Sequence, residues 1–289
     1  MGIVAGLSLS AAFCFGLGLV LSNLGLRGMS PLRGAAIGIP TAAVCSLALA
    51  PFLVDFAAFS LQAVLIFVAV GCMFPLFVTL LTFEANRRIG PSLTGALGNF
   101  TPLFALVIAF VMLGEVPGAV QTIAIGIILA GVGLLLWRPQ SLMAGVTVFA
   151  LALPIAAAAV RGLVQPLVKL GLETWPDPVA AATIGYVVSA ALVLALTAVR
   201  DGAEKVLPRA LTPSVLWFLA AGVCNGSAVL LMYAALARGS VTVVAPLVAC
   251  YPLATVLLSR VMLGTTVSRN MVAGVGLTVL GVALLLLRG

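Results

Sequence analysis

Apolar residues run through this chain in blocks of about 20, and most charged residues lie in the gaps between the blocks. A helix needs about 20 apolar residues to cross ~30 Å of hydrocarbon. The pattern predicts ten such helices, over 2–26, 34–54, 60–83, 91–113, 118–137, 148–172, 178–199, 211–236, 240–263 and 268–287. Barrel strands would alternate polar and apolar residues, and these blocks do not. The gaps carry Pro, Gly and charge, as in Arg27 to Arg33, Glu84 to Gly90, Glu173 to Pro178 and Arg200 to Pro213. Most are too short to fold alone, so the expected fold is an all-α membrane protein without a soluble domain. The first block lacks a basic leader and reads as a structural helix rather than a signal peptide.

The blocks repeat. At a spacing of 150 residues, Met112-Leu113-Gly114 recurs as Met262-Leu263-Gly264, Pro102 as Pro252, Phe83 as Tyr233, Ala85 as Ala235, Arg88 as Arg238, Gly126 as Gly276 and Gly131 as Gly281. Upstream the spacing becomes 146, pairing Gly16 with Gly162 and Leu24-Gly25-Leu26 with Leu170-Gly171-Leu172. The chain therefore divides into a first repeat, 1–140, and a second, 141–289, of five helices each. An odd number of crossings makes the second copy enter from the opposite face, so the expected fold is ten transmembrane helices as two inverted five-helix repeats. Two related halves able to rock about a site between them point to a transporter.

Composition changes the picture in one respect, the solvent. With 63% hydrophobic and 7% charged residues and a mean hydropathy of +1.32, polar surface is too scarce to cover a water-soluble globule, and the expected partner is the lipid bilayer. The net charge of +7 is spread singly between apolar runs, so no nucleic-acid surface is expected. Counted by loop, nine basic residues follow helices one, three, five, seven and nine, and three lie on the other face. By the positive-inside rule both termini would be outside.

An aromatic-Gly pair in helix one (Phe15-Gly16), the step Asn23-Leu24-Gly25-Leu26 before Ser30-Pro31, the run Gly98-Asn99-Phe100-Thr101-Pro102-Leu103, and Leu113-Gly114-Glu115 closing helix four together resemble the EamA type of the drug/metabolite transporter superfamily. The resemblance spans essentially the whole chain. It implies a ten-helix secondary carrier with a central cavity, working by alternating access on amino acids or other small metabolites, in an inner (plasma) membrane and with both termini cytoplasmic. That orientation is the reverse of the one the basic residues favour. The chain departs from the family pattern at Phe15, where Trp is usual, at Arg161 in the paired position of helix six, and at Thr265, which replaces the second copy's Glu.

Arg161 is the leading candidate for a substrate contact. The 146 spacing sets it opposite Phe15 near the middle of helix six, where an Arg costs at least ~2.5–3.5 kcal/mol unless it meets water or a counter-charge. Its planar fork of donors matches a carboxylate or phosphate. The competing placement is a helix over about 142–160, with Arg161 anchoring its end. Pro75, Pro102, Pro154, Pro166, Pro246 and Pro252 each delete a helical hydrogen bond and free a carbonyl. Around them Asn99, Thr101, Asn225, Ser227 and Tyr251 collect as polar candidates, with Phe15, Phe100 and Tyr251 as apolar walls. Interhelical packing is the alternative role for each.

Glycines at 126, 131 and 133, and at 274, 276 and 281, permit close helix approach within one chain or in a homodimer through helices five and ten. Coupling leaves few residues to choose from. The chain has no His, no P-loop and no G-x-G-x-x-G, so neither ATP drive nor a cofactor is expected. Glu84 is the one acid near the membrane interior. It is either a proton-coupling group or an interfacial partner of Arg87 or Arg88, which leaves proton antiport, exchange and facilitated transport all open. The five cysteines lie within helices without C-x-x-C spacing, and neither a disulfide nor a metal site is expected. A carrier of small-molecule substrates is the favoured function, with a lipid-headgroup flippase on the same scaffold as the alternative. An intramembrane enzyme would need acids or metal ligands at membrane depth.

Overall fold

The computed structural model describes residues 2–98, 100–136, 147–202, 210–263 and 268–288, and its regular structure is helical throughout. In chain order the helices are α1 (Gly2–Gly25), α2 (Pro31–Leu53), α3 (Leu61–Met73), α4 (Leu76–Gly98), α5 (Thr101–Leu113), α6 (Ala119–Leu136), α7 (Val148–Thr174), α8 (Pro178–Asp201), α9 (Pro213–Leu236), α10 (Val241–Val248), α11 (Tyr251–Leu263) and α12 (Arg269–Arg288). Eight helical stretches are long and apolar enough to span a membrane, among them Leu61–Ala85 across the α3/α4 junction and Val241–Met262 across the α10/α11 junction. Two shorter apolar helices complete the ten spans.

Twelve helices for ten spans reflects breaks at prolines. The third apolar block divides before Pro75, and the ninth at Ala249-Cys250, just before Pro252. Proline has no N–H to extend the ladder and clashes with the preceding turn. The stretch from Glu84 to Gly90, expected as a connection, is helical and belongs to α4. Its first turn carries an Arg88-to-Glu84 ion pair at 2.6 Å, the (i, i+4) spacing that supports a helix. The fourth block is accordingly shared between the end of α4 and α5.

The inverted repeat is visible in the packing. Helix α1 packs on α9 as α7 packs on α4, α1 meets α11 as α7 meets α5, and α2–α8 and α6–α12 each pair with their own counterpart. Close approaches obey the same two-fold relation. A Cβ on Gly16 would lie 2.7 Å from Ala254 and 2.8 Å from the Tyr251 carbonyl; on Gly162 it would lie 2.5 Å from Phe104 and 2.9 Å from the Ala105 nitrogen. Gly71 faces the Gly185 carbonyl, and Gly222 faces that of Gly38. In α6 and α12, Gly131 lies against Thr278, and Gly281 against Ile128. Gly126, Gly133 and Gly276 meet open space, so only part of the predicted glycine set closes the contact within the chain.

Gly71 and Gly222 are 151 apart, whereas Phe83 and Tyr233 are 150 apart. The first copy thus holds one extra residue between these points, and its helix breaks inside that stretch while α9 runs through unbroken.

Candidate functional site

A cavity of about 160 Å³ lies between the two repeats. Its walls come from the C-terminal half of α1, the N-terminal half of α2, the middle of α7, from α4, α8 and α9, and from the α10–α11 junction. The α1 and α2 segments and the N-terminal part of α7 lie toward the face of the bundle that carries Arg27, Arg33 and Arg200.

The opposite end is sealed. Trp175, 3% exposed, sits edge-on to Phe59 at 5.4 Å between ring centroids and 6.5 Å from Phe67. Its indole N–H donates to the Asp55 carbonyl at 3.0 Å. Asp177 accepts from the Asp55 N–H and also from Val179 and Ala180, capping α8. Lys169 donates to the Leu236 and Gly239 carbonyls, at 2.9 and 3.1 Å, at the C-terminal end of α9. Glu115 accepts from the Thr242 N–H at the start of α10, a helix buried along its whole length. Charges here satisfy helix ends from neighbouring elements, which fixes those elements against one another.

Arg161 is the fourteenth of the 27 residues of α7. Mid-helix is where the repeat register predicted it, and the alternative helix ending at 160 is excluded. Arg161 lines the cavity. Among the described residues it has no hydrogen-bond or ion-pair partner, and no Asp or Glu lines the cavity with it.

Phe15, Thr101, Asn225 and Tyr251 also line the cavity. Tyr186 donates its hydroxyl to the Asn225 carbonyl at 3.0 Å, fixing α8 to α9 at this level. Thr101 donates to the Gly98 carbonyl at 2.7 Å across the α4–α5 break. Two candidates lie elsewhere. Ser227 is exposed on the outer side of α9, because two residues advance a helix by about 200° and so put it opposite Asn225. Phe100 is 44% exposed, just before α5, where the chain turns it outward while Thr101 turns in. Asn99 falls outside the described residues. Glu84 is outside the cavity lining and bonds to Arg88.

Sequence reasoning missed Gln165 and Thr94. Both line the cavity and are 1% and 3% exposed. Gln165 Oε1 and Thr94 Oγ1 are each buried without a partner, a condition that costs about 1–3 kcal/mol per group. A signal for Gln165 was present in the sequence. It lies four residues after Arg161, hence on the same helix face, and pairs at the 146 spacing with Leu19, which also lines the cavity.

This geometry of two halves around one central cavity has a counterpart in sequence, where residues 2–137 and 148–287 each match the EamA-like transporter family. The chain belongs to that family. It is therefore an integral membrane protein of a transporter family for small solutes, built from two EamA repeats. A solved structure described only as "Crystal structure of protein" is similar in fold, with a TM-score of 0.77, 17% identity, and coverage of 98% of this chain and 96% of that one. At that identity the likeness speaks to fold alone. No curated protein matches the chain in sequence.

Proposed function

We propose that this EamA-like chain carries small carboxylate-bearing solutes, amino acids or similar metabolites, by alternating access through the central cavity. One observation carries the reading: Arg161, at the centre of a spanning helix, lines the cavity, and among the described residues it has no partner and no acid lines the cavity beside it. A guanidinium at this depth needs water or an anion. Its planar fork suits a carboxylate, which can accept two parallel hydrogen bonds. Phe15 and Tyr251 supply apolar walls for the rest of the solute.

The two-fold packing supports the transport cycle. Trp175, Asp177 and Lys169 tie one end of the bundle together, and the repeats offer the two-fold-related arrangement once the halves rock. Since among the described residues no carboxylate lines the cavity and Glu84 is engaged by Arg88, the arrangement favours exchange or facilitated movement over proton antiport. Uptake into proteoliposomes tests the role of Arg161. Arg161→Ala should abolish carriage of carboxylated solutes with folding kept, and Arg161→Lys should impair it although the charge remains. Uptake by Arg161→Ala at the unaltered rate would overturn the reading.

A further inference from the structure

The cavity also holds two buried acceptor oxygens that have no partner among the described residues. Twelve polar or charged residues are buried among those described, and ten of them have partners. Ser22, Thr101, Ser189 and Thr278, for example, donate to the backbone carbonyls of Gly18, Gly98, Gly71 and Gly274. The two exceptions, Gln165 and Thr94, line the same cavity as the unpartnered Arg161. If Gln165 were present for packing alone, Leu or Met would fill its place without an unpaired buried amide oxygen.

We infer that Gln165 and Thr94 form a second pole of the substrate site, accepting hydrogen bonds from a donor group that the solute carries close to its anion. This rests on the assignment of the anion to Arg161. Gln165 is one helical turn from Arg161, about 6 Å along the axis, a span that one small molecule bearing both groups can bridge. At the two matching positions of the first repeat stand Phe15 and Leu19, which line the facing wall. The site is thus polar on the α7 side and apolar on the α1 side. It fits a carboxylate with an α-ammonium or α-hydroxyl donor and an apolar substituent that packs on Phe15 and Leu19. With no acid in the lining, neutral acceptors serve either donor.

The test uses the full chain in nanodiscs and reads ligand-induced thermal stabilisation and Kd. The probes are two matched series, leucine with its 2-hydroxy and deamino analogues, and phenylalanine with its own. At least one series should show the amino or hydroxy acid binding about tenfold more tightly than the deamino acid. Gln165→Met and, independently, Thr94→Val should each shrink that difference with the ligand-free thermal midpoint unchanged or raised. A purely structural role for either residue would lower the midpoint instead. Equal affinity for all three members of both series, or no binding by any, overturns the second pole. The first result leaves the anion site standing. Binding of leucinamide or leucinol with no binding of the acids would remove the anion assignment as well.

Discussion

Helices α1 and α7 are the same element used twice, and they do opposite things to the cavity between them. Both pack through an equivalent glycine, Gly16 or Gly162, onto the equivalent helix of the other half. Both turn positions 15/161 and 19/165 toward the cavity. The first copy presents Phe and Leu there, and the second presents Arg and Gln. Duplication therefore set the geometry while divergence set the chemistry, and of these four matched positions only the two on α7 are polar. The two ends of the bundle differ in the same manner. Where Trp175 closes one end against Phe67, the matching positions at the other end hold Met29 beside Phe218. A flexible thioether replaces a rigid indole and its hydrogen bond.

The strongest way to break this comparison is to exchange the two walls. Arg161→Phe should lower uptake of carboxylated solutes at least ~100-fold, as expected for removing one partner of a buried charge pair. Adding Phe15→Arg to that variant should recover about tenfold if the two positions face one cavity across the two-fold axis. Initial rates in proteoliposomes decide it, and no recovery would mean that the matching positions are not interchangeable.

A second prediction sharpens the shared geometry. Gly131→Ala would place its Cβ 2.5 Å from Thr278 Oγ1 and 2.6 Å from the Thr278 backbone nitrogen, an overpacking of about 1–3 kcal/mol. Gly126→Ala, facing open space, should be neutral or slightly stabilising. The difference should appear as a lower thermal midpoint for the first variant and not the second. Equal midpoints would deny the α6–α12 contact.

At the sealed end, Lys169→Met removes two charge-assisted hydrogen bonds to the C-terminal end of α9, worth about 1.5–3 kcal/mol for bonds to charged groups. The population should shift toward opening there. In a background lacking native cysteines, a cysteine at Val244 on α10 should then react several-fold faster with a water-soluble thiol reagent. An unchanged rate would show that Lys169 only stabilises the fold. The smallest effect is expected at Glu84. Its pair with Arg88 is partly exposed, with side chains 25% and 43% accessible, and such pairs contribute about 0–1 kcal/mol. Glu84→Gln should change uptake less than about twofold, and a loss of pH-dependent uptake would instead restore Glu84 to proton coupling.

The ten apolar blocks, their division into two fives and the mid-helix position of Arg161 were legible in the sequence, because membrane spans are read from length and hydropathy and a duplication shows itself as a spacing. The 146 spacing paired Phe15 with Arg161, and the 150 spacing paired Thr101 with Tyr251. Sequence alone could not separate Asn225 from Ser227. Both are polar and both lie beside a break in the repeat, but which side of α9 faces inward is set by the helices packed around it. Nor could it show that Thr94 and Gln165 lack partners, since pairing depends on which carbonyls and hydroxyls arrive within about 3 Å. Hydropathy along the chain thus determined which segments enter the lipid and how many times. The packing of one repeat against the other decided which polar atoms, at the same depth, are satisfied by the protein and which are left for a solute, because that is a property of distances between segments far apart in sequence.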